Sequence, residues 1–122
     1  MSINEKTEQL IIQLTRETYS KKVQWVVKDA PRNLSYGSES IYPLYLETKY
    51  QNIIVGLFEF RYKNYTDVDE FYWLEAIGIC ILDDDGRILW KNESHYSALP
   101  NLFNAAREQV SGLNNILGDL LK

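Results

Sequence analysis

The sequence predicts a single-domain α+β fold spanning residues 1–122: an N-terminal helix, a five-stranded antiparallel β-meander and a C-terminal amphipathic helix. Three observations carry this. Phe71 to Leu82 is a long run rich in β-branched and aromatic residues, broken by Asp83-Asp84-Asp85-Gly86 and resumed by Arg87-Ile88-Leu89-Trp90. Such runs around an Asp-Gly step mark paired antiparallel strands. Between Leu99 and Leu121, apolar residues recur at helical spacing and form one continuous stripe. At the other end, Ser2 followed by Glu5 has the capping-box spacing.

The elements follow in order. Helix one runs from Ser2 to about Tyr19, with Ile3, Leu10, Ile11 and Leu14 on one face and Thr7 and Thr18 continuing it. Val23 to Val27 reads as a short strand closed by Asp29-Ala30-Pro31. Arg32 to Ser40 is the longest polar and small-residue stretch, a surface loop with the most freedom to move. Ile41 to Thr48 forms strand two. Pro43 lacks a ladder donor, which places that strand at a sheet edge, or Pro43 at its start or a bulge. Gln51-Asn52 supplies a turn, Ile53 to Tyr62 is strand three, and Lys63 to Glu70 is a polar connection into the hairpin. In the last helix Ser97 is the expected N-cap and Pro100 falls in the first turn. Gly112 and Gly118 each cost about 1 kcal/mol there, marking a kink or a close approach.

Strands three and four are apolar on both alternating faces, unlike a sheet with one solvated side. Both faces therefore need cover. The helices can lie on opposite faces, a second subunit can cover the face the helices leave, or the sheet can curl around an apolar pocket. Glu75 is the one charge in the central run. It needs Lys49 or Arg61 as partner if its face is buried, or else a place at the rim.

Composition narrows the function classes. The 122 residues carry a net charge of −4, which argues against a nucleic-acid partner needing a basic face. One cysteine, Cys80, excludes an intrachain disulfide and a multi-cysteine metal site, and its apolar setting predicts a buried thiol. The polar N-terminus lacks a secretory signal and no run approaches membrane-spanning length, so a cytoplasmic location and no membrane partner are expected. Sequons at Asn33, Asn64 and Asn92 read as chance matches without such a signal.

Candidate chemical groups are few. Asp83 to Asp85 reads as a hairpin turn, because consecutive aspartates point in different directions, unlike the alternate ligands of a calcium loop. His95, the single histidine, lies between Ser94 and Ser97 with no nucleophile elbow around it and reads as a loop residue. Cys80 in an apolar strand is a poor nucleophile. No catalytic residue, cofactor or metal is therefore expected. Strand core and amphipathic packing account for most of the aromatic residues, and a recognition surface is the second reading; in it Tyr42, Tyr45, Phe58, Phe60, Tyr72 and Trp73 form the candidate interaction surface. Asp67, Asp69 and Glu70 form a small acidic cluster, read as a solvated loop.

The layout of Thr15 to Trp25, the Asp-Gly hairpin and the Leu-Phe-x-x-Ala-Arg helix resembles small bacterial proteins. In size and acidity the chain is similar to type III secretion chaperones, dimeric helix-sheet binders of other proteins. It lacks that family's middle helix, so no binding residue carries over. The expected function is a non-catalytic protein-interaction module, homodimeric through its sheet face or last helix, with another protein as a further partner. The alternative is a small-molecule carrier or enzyme with an apolar pocket between the curled sheet and the last helix.

Overall fold

The computed structural model describes residues 2–93 and 96–122. The order is α1 (Ile3–Tyr19), β1 (Val26–Val27), α2 (Arg32–Ser35), β2 (Ile41–Tyr50), β3 (Ile53–Tyr65), β4 (Phe71–Leu82), β5 (Ile88–Asn92), α3 (Leu99–Ser111) and α4 (Leu113–Leu120). The five strands form one sheet in the order β1-β2-β3-β4-β5. The α+β class, with an N-terminal helix, an antiparallel sheet and C-terminal helices, is as the sequence indicates. Residue contacts divide the chain into two compact units, one ending at Val26 and resuming near Tyr96, the other beginning at Val27 and holding most of the sheet.

The helical unit is built on α1 and α3. Ser2 caps α1, its hydroxyl accepting the Glu5 amide at 3.1 Å. Thr7, Ile11, Leu14 and Thr18 are the buried residues of α1, whereas Ile3 is exposed and drops out of the stripe. Thr7 and Thr18 turn their hydroxyls back onto the carbonyls of Ile3 and Leu14 at 2.7 Å, so burial leaves neither hydroxyl unpaired. The segment expected as a strand from Val23 is extended only at Val26–Val27. Val23 and Trp25 are buried instead. Their backbone is held by a side chain: Gln109 accepts from the Trp25 amide at 2.7 Å and donates to the Val23 carbonyl at 2.8 Å. The Trp25 indole donates to Thr18 Oγ1 at 2.9 Å.

The C-terminal stripe is two helices, not one. Gly112 takes φ +64, a left-handed conformation that ends α3 and starts α4. Glycine adopts it without the Cβ penalty other residues meet. Leu99, Leu102, Phe103, Ala105 and Ala106 of α3 are buried, but no residue of α4 is. Ser97 is not the N-cap; Ala98 stands there and makes no side-chain cap bond, while Pro100 sits in the first turn.

In the sheet unit, β3 and β4 pair in unbroken register from Ile54↔Leu82 to Tyr65↔Phe71. Pro43 falls at a register shift between Ile41 and Leu44, which is the bulge alternative. The faces separate by register. Tyr45, Phe58, Phe60, Cys80 and Leu82 share one, and Leu46, Val55, Leu57 and Ile79 the other, all at most 5% exposed. The residues from Arg32 to Ser40 are not an open loop. One helical turn, α2, drops Leu34 into the cluster of Tyr45, Phe58, Phe60, Cys80 and Leu82, with Ala30 and Tyr42 packed alongside. The Tyr42 hydroxyl donates to the Leu34 carbonyl at 3.2 Å and ties the turn to β2.

Two glycines let the aromatic rings lie flat on that face. Gly56 stands where a Cβ would meet the Tyr45 ring and hydroxyl and the Cys80 sulfur; at Gly78 it would meet the Phe58 ring. Tyr45 thereby reaches Glu47 Oε2 at 2.9 Å, and Lys28 binds the other carboxylate oxygen at 3.0 Å. A polar group on a mostly apolar face is thus fully paired.

Candidate functional site

β2 pairs with β3 only as far as Arg61, and β5 pairs with β4 only from Ile79. Past those points β3 and β4 continue as a two-stranded ribbon to Tyr65 and Phe71. A two-stranded ribbon is marginal in water. Its cross-strand side chains hold this one. On the face shared with Leu57 and Ile79, Phe71 stands opposite Tyr65 and Trp73 opposite Lys63. Tyr65 and Phe71 have ring centroids 5.6 Å apart, and Phe71 meets Trp73 edge-on at 5.8 Å. The Lys63 ammonium lies 4.5 Å from the Phe71 centroid and 5.7 Å from that of Trp73. Each such contact contributes about 0.5–1 kcal/mol at an exposed site.

These rings are nonetheless in water. Tyr65 is 51% exposed, Phe71 42% and Trp73 43%. Glu39 borders them, accepting from the Tyr65 hydroxyl at 2.7 Å and lying 4.0 Å from Lys63. Arg61 and Glu75, opposite one another one step inward, form an exposed ion pair at 2.9 Å. Glu75 therefore has Arg61, not Lys49, as partner and occupies the rim.

The six residues picked from the sequence do not form one surface. Tyr45, Phe58 and Phe60 are buried core, and Tyr42 is half-buried against them, its ring 5.7 Å from Phe58 and 6.0 Å from Phe60. Tyr72 and Trp73 are exposed, but on opposite faces of β4. The exposed cluster is Trp73 with Tyr65, Phe71 and Lys63. A signal for it was present: pairing β3 and β4 through the 63–70 connection sets Tyr65 opposite Phe71. Reading Lys63 as the start of a loop hid that.

The remaining candidates carry less chemistry. Cys80 is buried, and burial pushes its thiol up to about 11, away from a thiolate. Asp83 closes the hairpin by accepting from the amides of Asp85 and Arg87 at 3.0 and 2.9 Å, with the Arg87 guanidinium on its second oxygen at 2.9 Å. These bonds hold the Asp83 carboxyl below its usual range, the Arg87 amide contributing most. Ser94 and His95 lie outside the described residues; the Ser97 amide donates to Glu8 at 3.0 Å. Among the described residues no group of three His, Cys, Asp or Glu side chains is placed to hold a metal. Among those residues, too, no helix is long and apolar enough to cross a membrane. A groove of about 610 Å³ opens where α3 meets α4, lined by Thr18, Lys21, Gln109, Asn114 and Leu117. Its Gln109 amide is committed to Val23 and Trp25. Compared with protein-family models, curated proteins and solved structures, the chain matches none.

Proposed function

We propose that the chain is a non-catalytic protein-interaction module, homodimeric, whose contact surface is the outer part of the β3–β4 ribbon. The observation that carries this reading is the packed but solvent-exposed set of Tyr65, Phe71 and Trp73 under the Lys63 ammonium. Rigid aromatic rings offer contact area at low entropic cost, and burying one contributes on the order of 2 kcal/mol. The rings hold one another in place before any partner arrives, so little further ordering is needed on binding. The nearby charges of Lys63, Arg61 and Glu75 supply the polar rim that such contacts have.

Light scattering on the full chain tests this. A dimer is expected at about 100 µM, where a contact of micromolar affinity is saturated. The double substitution Phe71→Ser with Trp73→Ser should return it to a monomer that still unfolds cooperatively, its melting temperature lowered by the loss of the ring contacts. A wild-type monomer at that concentration, or a dimer indifferent to the double substitution, removes the reading.

A further inference from the structure

The ribbon also has an open edge. Adjacent to β4, β5 covers only Ile79 to Leu82, and no other described strand bonds to the outer side of Phe71 to Ile77. Every second residue of that stretch turns its N–H and C=O outward, a template for one more strand. The side chains along it are accessible: Phe71, Tyr72, Trp73 and Glu75 are exposed, and Leu74, Ala76 and Ile77 half-buried.

We infer that this edge pairs with the same edge of a second copy, antiparallel about a two-fold axis through Leu74, joining the two sheets. The inference rests on the interaction reading above and specifies its geometry. In an antiparallel pair, residues directly opposite lie on the same face, so the register of a self-pair has only a few choices. Centring on Glu75 sets two carboxylates against each other, which is unfavourable. Centring on Trp73 runs past the start of the strand after Phe71, and centring on Ala76 or beyond collides with the β5 pairing that begins at Ile79. Centring on Leu74 uses the whole stretch, Phe71 to Ile77, that no other described strand pairs with on its outer side.

The side chains are complementary in that register. Phe71 faces the partner's Ile77, Tyr72 the partner's Ala76, and Leu74 the partner's Leu74. Trp73 faces the partner's Glu75. Lys63 stands on the other side of Trp73, 5.7 Å from the ring, so the row across the joined sheet alternates in sign about each indole. Each Glu75 keeps Arg61 of its own chain on its inner side. Each row across the joined sheets thus runs Lys63, Trp73, the partner's Glu75 and the partner's Arg61, twice by symmetry, with no like charges side by side.

Cysteine cross-linking tests the register. Opposed residues in antiparallel strands have Cα atoms about 4.5–5.5 Å apart, inside the range a disulfide spans. Leu74→Cys should therefore give a covalent dimer on mild oxidation of the folded protein. Tyr72→Cys should not, since its two copies lie roughly 13 Å apart along the strands. The native Cys80 is buried and stays out of the reaction. A dimer in which Leu74→Cys fails to cross-link while Leu120→Cys on α4 succeeds overturns the edge pairing and leaves the dimer reading standing. A wild-type monomer overturns both.

Discussion

Position 109 shows how one side chain can stand in for an element of secondary structure. Val23 and Trp25 are buried without belonging to a strand, so their backbone polar groups need partners from elsewhere. The Gln109 amide provides both a donor and an acceptor, on Val23 and Trp25. Gln109→Leu should cost about 1–3 kcal/mol, because the amide and carbonyl it served stay buried and unpaired. Urea unfolding of the variant against wild type checks this; a change below about 0.5 kcal/mol would show that water replaces the bonds. Cys80 sets a second expectation. Burial lifts its thiol from 9.0 to about 11, so the folded state keeps a proton that the unfolded chain loses first. Stability is then fully present below about pH 9 and falls as the pH rises to about 11, by on the order of 2 kcal/mol. Tyr45 is raised in the same direction, by burial first and then by its anionic neighbours Cys80 and Glu47, and extends the decline to higher pH. Cys80→Ala should flatten the first part of that fall in a series of denaturation curves; an unchanged slope would remove Cys80 from it.

At the scale of elements, glycines and turns decide where regular structure stops. The apolar spacing from Leu99 to Leu121 is continuous in the sequence, yet Gly112 divides it and α4 leaves Ile116, Leu117, Leu120 and Leu121 exposed. Helical periodicity records which residues share a face, not whether that face is covered. Gly112→Ala should destabilise by about 1 kcal/mol, since a Cβ in the left-handed region is strained although the space around it is open. Thermal unfolding measures this, and a stabilised variant would indicate that the two helices can fuse. α2 is the converse case. Arg32 to Ser40 is polar enough to read as a mobile loop, but Leu34, buried in the Phe58 cluster, anchors its single turn, with the Tyr42 hydroxyl on its carbonyl. One buried leucine outweighs the local composition, because burial contributes about 2 kcal/mol and composition only a propensity. The hairpin around Asp83 and the capping box at Ser2 were legible, since both depend on residues within a few positions of each other.

For the molecule as a whole, the two-faced sheet is where reading and structure meet. Both faces are buried around Leu57 and Phe58, as the absence of polar alternation requires. The cover over the Phe58 face includes α2, a segment none of the three expected arrangements used. Toward Phe71 the burial fades and the aromatic residues stand in solvent, which is why the ribbon rather than the sheet centre is the surface proposed to bind. Replacing Phe71 and Trp73 there should abolish association and loosen the ribbon, while the buried sheet around Leu57 and Phe58 stays folded.

By itself the sequence determined the antiparallel meander, the helical ends, the buried thiol and the tight Asp-Gly turn. Each rests on periodicity or on contacts between near neighbours, which the chain writes directly. Only the tertiary structure decided which aromatics are core and which are surface. Tyr45 and Trp73 look alike in a strand, but Tyr45 lies over Gly56 with a hydroxyl partner in Glu47, whereas Trp73 lies on the ribbon beyond the points where β2 and β5 pair, at Arg61 and Ile79. Burial is a property of where strands end beside one another, and that is set by register across the sheet, not by any one strand.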